Sequence, residues 1–158
     1  MARLRSILRR LRRLVRMAPD RRALLGEAVL WLLLARVALV LVPFPRLARR
    51  LGTFVPPSDK RVLHANSECS PDQVRLASEI GWAVTRAAHH VPFSAVCLPQ
   101  AMTARLMLAR RGVGSVLHFG AAKGRDKPLN THAWLNAAGV EVTGYPVSPD
   151  FAEIACFV

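Results

Sequence analysis

Residues 23–43, ALLGEAVLWLLLARVALVLVP, restrict this chain more than any other stretch. A run so apolar must be buried as a helix, and its length is roughly what a bilayer-spanning helix needs. Two charges interrupt it, Glu27 and Arg36. Nine residues apart, they fall on opposite sides of a helix and cannot pair within it. Each is costly at the centre of a bilayer, whereas a protein surround can give each a partner. The sequence therefore predicts a helix buried in protein or lying at an interface, ended by Pro43 and Pro45.

Nine arginines and one acid, Asp20, lie among residues 1–22. The net charge of +13 is thus concentrated in one arm. Leu4, Ile7, Leu8, Leu11, Leu14 and Val15 recur at helical spacing with arginines on the other face. Such a helix suits an anionic membrane surface, an acidic partner or its own domain. No aromatic residue interleaves the arginines, so nucleic acid is not expected as a partner. The apolar run starts behind this basic helix rather than a short n-region, and no cleavable signal is expected. Three cysteines, without CxxC or zinc-finger spacing, argue against a disulfide framework and for a reducing, cytoplasmic setting. No metal or cofactor is expected, and His89-His90 reads as a helix end.

Downstream, Ser70 can cap a helix over SPDQVRLASEIGWAVTRAA, with Pro71 in its first turn and Gln73 completing a capping box. Val74, Ala77, Ile80, Val84 and Ala88 form its apolar stripe. A second helix should start near Cys97 and end at Gly112, with Arg110 and Arg111 in its last turn. Three strand-like pieces follow, GSVLHFGAA, THAWLNA and VEVTGYPV, with Ala138-Gly139 as a tight hairpin between the last two. The fold class is α+β: a helical N-terminal segment, residues 1–60, then a core over residues 61–158 with a small antiparallel sheet.

At the first turn of its helix, the Cys97 thiolate would be favoured by unpaired N–H groups and the helix dipole. His132, on a strand after that helix, is the candidate base. It shares a face with Trp134 and Asn136, while Ala133 and Leu135 share the other. A cysteine and a histidine 35 residues apart carry little by themselves.

The words around them carry more. CLPQAMTARLMLARRGV followed by HAWLNAAGVEV resembles the transglutaminase-like cysteine protease family in its lasso-peptide branch, the leader peptidases or B proteins. The resemblance is specific over residues 71–158 and looser over 20–60. It implies a papain/transglutaminase-like core in which Cys97 is the nucleophile and His132 the general base. Gln100 would help at the oxyanion or position substrate, and Trp134 would flank the imidazole. Family members orient the histidine with a downstream acid. Here residue 145, opposite His132 in a two-residue hairpin, is Tyr145. Of Glu141, Asp150 and Glu153, Asp150 is the expected third member, with a backbone carbonyl or Tyr145 as the alternative in a dyad. The implied partners are a precursor peptide, a separate precursor-recognition protein and an ATP-dependent lasso cyclase. The competing expectation is a non-catalytic or membrane-surface scaffold that presents the precursor to the cyclase.

Overall fold

The computed structural model describes residues 17–64, 69–124 and 129–158. The basic stripe of residues 4–16 and the middle of the loop after the first expected strand lie outside them. Helix α1 spans Pro19–Leu41. Pro19 opens it at a position where the missing N–H costs nothing, and Asp20 sits in its first turn. It stops because Val42, preceding a proline, is held extended. Pro43 then starts a short helix, α2, Phe44–Ala48.

Leu24, Ala28, Leu32 and Ala35 form the buried stripe of α1. The opposite side exposes Leu30, Leu33, Leu34, Val37, Val40 and Leu41. By length and composition α1 is able to cross a membrane, and only 22% of its most apolar window is buried. Glu27 has the protein partner expected of it. Arg111 clasps its two carboxylate oxygens at 3.2 and 2.6 Å. Arg110 approaches the same carboxylate and lies over the Trp31 ring. Arg36 has no ion-pair partner among the described residues.

After a two-residue strand β1 (Phe54–Val55) and a short helix α3 (Lys60–His64), helix α4 spans Pro71–Ala88. Its capping box is complete, with the Ser70 hydroxyl on the Gln73 N–H and the Gln73 amide oxygen on the Ser70 N–H. Ala77, Ile80 and Val84 are buried as the stripe requires, while Val74 is exposed. Helix α5 spans Cys97–Ala109. His89 ends α4 and the His90 ring bonds the Arg86 carbonyl, so the histidine pair does close that helix.

The sheet has five antiparallel strands in the order β1-β5-β2-β3-β4. Strand β2 is Val116–Lys123, β3 Leu129–Ala137, β4 Val140–Thr143 and β5 Ala152–Phe157. The three expected strands are β2, β3 and β4, and the sheet also holds β1 and β5. Ala138 and Gly139 both have positive φ, 51° and 72°, the backbone of a tight two-residue hairpin. Leu117, Ala133, Leu135 and Phe157 meet the buried faces of α1, α4 and α5 in one core. Leu32, Ile80, Met107, Leu117 and Leu135 are fully buried there. At about 2 kcal/mol each, such side chains supply the main driving force for seating the helices on the sheet. Val55, Val62, Val116 and Cys156 form a second, smaller core.

The Glu27–Arg111 pair makes stability pH-dependent. The Arg111 hydrogen bonds hold the Glu27 carboxyl below its ordinary value of 4.5. A lowered folded-state pKa adds stability above the unfolded value, lost as pH falls through the folded one. Glu27→Gln should therefore cost about 1 kcal/mol at pH 7. Urea unfolding should show that difference shrinking below about pH 4, near the unfolded glutamate pKa.

Candidate active site

Cys97 is the first residue of α5, and the residue before it, Val96, offers no side-chain cap. The N–H groups of Cys97 and Leu98 precede the first intrahelical bond, which runs from the Gln100 N–H to the Val96 carbonyl. Pro99 has no N–H to satisfy. The helix thus presents its positive end and its nucleophile together. The Gln100 amide nitrogen donates to the Ala95 carbonyl at 2.7 Å, fixing the turn that leads into Cys97. Its second amide proton has no acceptor among the described residues.

His132 is held by the main chain. Its Nε2 lies 2.6 Å from the Gly144 carbonyl oxygen. A carbonyl only accepts, so Nε2 must carry the proton and Nδ1 is left with its lone pair. Trp134 stacks beside the imidazole with ring centres 5.9 Å apart, and Phe151 packs against it at 5.3 Å. Gly144 has φ +84°, and a Cβ there would lie 2.5 Å from the Ala133 carbonyl oxygen. Glycine is what lets the chain turn its carbonyl to the imidazole.

Cys97, Gln100 and His132 line one cleft of about 710 Å³, with Trp82 and Arg86 of α4 and residues 141–146 along its walls. No hydrogen bond joins Cys97 Sγ to His132, although both residues line the same cleft. The volume is that of an ordinary ligand cleft.

Of the alternatives for the third member, a backbone carbonyl is the group found on His132. Asp150 does not touch His132; its carboxylate accepts from the Ser148 hydroxyl at 3.2 Å in an exposed turn. The Tyr145 hydroxyl bonds Asn136 Oδ1, and burial first of all pushes its pKa up to about 12. Glu141 stands opposite Asn136, as the hairpin requires. The reason is a bulge: Asn136 pairs with Glu141 but Leu135 with Thr143, leaving Val142 as an extra residue. That shift carries the chain so that the Gly144 carbonyl reaches the imidazole. Thr-Gly before Tyr-Pro was the signal for such a turn. Phe151 and Trp82 carried no signal of their own. Sequence spacing also concealed a second cluster away from the cleft, His118 with Glu153 and Cys156. All three cysteines are free.

Residues 38–156 match the family model described as the transglutaminase-like superfamily. No curated protein matches the chain, and no solved structure does. The matched span takes in α5, β1 to β4, all of β5 but its last residue, and both Cys97 and His132.

Gly144→Ala should cost about 1–3 kcal/mol, because it forces a Cβ into a left-handed, crowded position. Asp150→Ala should stay within about 0.5 kcal/mol. Thermal or urea denaturation of the two variants measures the contrast.

Proposed function

The chain belongs to the transglutaminase-like superfamily, and from that premise we propose that it is a cysteine peptidase. The observation that carries this reading is the Gly144 carbonyl on His132 Nε2, which leaves Nδ1 as a base in the cleft that Cys97 lines. Nδ1 takes the Cys97 thiol proton, and Sγ attacks the scissile carbonyl carbon. The oxyanion is met by the Cys97 N–H, with the second Gln100 amide proton within the same turn. His132 returns the proton to the leaving amine as the C–N bond breaks, giving a thioester. Water, activated by the same Nδ1, hydrolyses that thioester and restores the thiol. The carbonyl orients the imidazole and stabilises its charged form as a dipole. Trp134 and Phe151 shield the ring from water.

The substrate reading is a leader peptide cut from a ribosomally made lasso-peptide precursor. Its support is the Cys-Leu-x-x-Ala helix start together with the His-Ala-Trp strand. The partners would be a separate precursor-recognition protein and the ATP-dependent cyclase. A cytoplasmic location, peripheral at the membrane, is supported by the apolar outer side of α1 and by the arginine-rich sequence that precedes it.

Cys97→Ala and His132→Ala should each lower precursor cleavage by roughly 10⁴-fold or more while the circular dichroism spectrum is unchanged. Asp150→Asn should cleave within about twofold of wild type, since a twofold rate change is a fraction of a kcal/mol. Wild-type cleavage by the Cys97 variant, with partners present, sinks the peptidase assignment. In cell fractionation, high salt or carbonate should release the protein, because attraction of arginines to anionic lipid is screened. Retention until detergent is added would instead show that α1 spans the bilayer.

A further inference from the structure

We propose that His118, Glu153 and Cys156 form a zinc-class metal site that fastens β5 to β2, independent of the peptidase chemistry. The three residues bring one nitrogen, one oxygen and one sulfur ligand within 4.8 Å of one another. Nδ1 of His118 lies 2.5 Å from Glu153 Oε1, Cys156 Sγ lies 2.9 Å from that oxygen, and Sγ lies 3.4 Å from Nδ1. Ligands around a tetrahedral zinc stand about 3.3–3.7 Å apart, given bonds of about 2.0–2.3 Å. The set needs to open by about 1 Å or less, which the half-exposed Glu153 side chain can supply.

Strand alternation alone would not build this set. Residues 153 and 156 are an odd number apart and belong on opposite faces of a regular strand. Phe119 pairs with Ala155 but Gly120 with Glu153, so Ile154 is an extra residue. That bulge turns Glu153 to the side of Cys156 and of His118, the cross-strand partner of Cys156. A bulge that re-aims a carboxylate onto a buried histidine and thiol is a local cost in pairing, and a ligand set is a reason for it.

The burial fits a metal with one path in. His118 is 6% and Cys156 0% exposed, while the Glu153 side chain keeps 33%. Thiolate, imidazole and carboxylate together favour zinc over magnesium or calcium, which prefer oxygen alone. The fourth position falls to the second Glu153 oxygen or to water. Binding releases one proton, that of the Cys156 thiol. The imidazole moves its proton from Nδ1 to Nε2 and stays neutral. Metal bonds replace the Nδ1···Oε1 and Sγ···Oε1 hydrogen bonds, and Nε2, which has no partner among the described residues, is free to carry the proton. The His118 ring is parallel to Trp134 at 5.5 Å, and Trp134 stacks on His132. The metal would therefore stiffen the platform behind the catalytic imidazole.

The test uses the full chain, stripped with chelator and dialysed. Zinc chloride is titrated against a chromophoric chelator, and cobalt chloride is followed by absorption. The expected result is one equivalent bound with release of one proton. Cobalt should give visible bands of a tetrahedral ion and a near-ultraviolet thiolate band. Glu153→Gln should weaken zinc at least tenfold, and Cys156→Ser should remove the thiolate band, while Cys97→Ala keeps both. Glu153 is partly exposed, so its variant tests the site even if Cys156→Ser does not fold. Absence of stoichiometric binding, or zinc affinity unchanged in Glu153→Gln, overturns the proposal. So does a thiolate band lost in Cys97→Ala.

Discussion

Helix α5 is tied at three places, which fix it to the turn before it, to β2 and β5, and to α1. At its start the Gln100 side chain holds the Ala95 carbonyl. Midway, Arg105 donates to the carbonyls of Ser115 and Phe157, joining the helix to the beginning of β2 and the end of β5. Past its end, Arg111 grips Glu27 of α1. The Arg105 tie is the most demanding, because burial disfavours its charge and lowers its pKa. Two carbonyl dipoles meet that guanidinium where a carboxylate would otherwise be needed. With Arg105 tied to two strands and Arg111 tied to α1, the helix cannot slide without breaking those bonds. Its first residue is therefore placed against the sheet by the whole length behind it.

The helices were legible because their signals are local. Ser70, Pro71 and Gln73 mark the start of α4 within four residues, and the Arg110-Arg111-Gly112 stop of α5 is as compact. The Ala138-Gly139 hairpin was legible for the same reason. The unrecognised strand and the unsettled partner of His132 both trace to bulges. In β5, Ile154 breaks the period-two pattern by which a strand is recognised, so AEIACF reads as nothing in particular. In β4, Val142 displaces the register, which moves the histidine's partner from a side chain at 145 or 150 to the carbonyl of 144. A register shift is decided by cross-strand pairing, and no single strand carries that information. The second polar cluster was hidden likewise, since it needs a cross-strand pair as well as a bulge.

Trp134 connects the two polar centres. Its indole stands between the His118 and His132 rings, with centres 5.5 and 5.9 Å away. Gly120 makes room for it, since a Cβ there would lie 2.8 Å from the indole ring. One bulky residue, 7% exposed, thus packs against both imidazoles. Helix α1 has the opposite character. One side completes the core against α4 and α5, and the other displays leucines and valines to the outside. The same helix can then serve the fold and a surface at once, because its two stripes do not compete for residues.

The histidine's partner belongs to the peptide backbone, and this bears on how the site can be damaged in the course of inheritance. A carboxylate partner is encoded by one codon and can be deleted by one nucleotide change. The oxygen of Gly144 is present whatever residue is encoded there, but a side chain at 144 would collide with the Ala133 carbonyl and displace it. It is lost only by a rearrangement of the path through Thr143 and Tyr145. The vulnerable information is thus spread over the shape of a turn. The acid at Asp150 is therefore free to vary while the imidazole stays aimed.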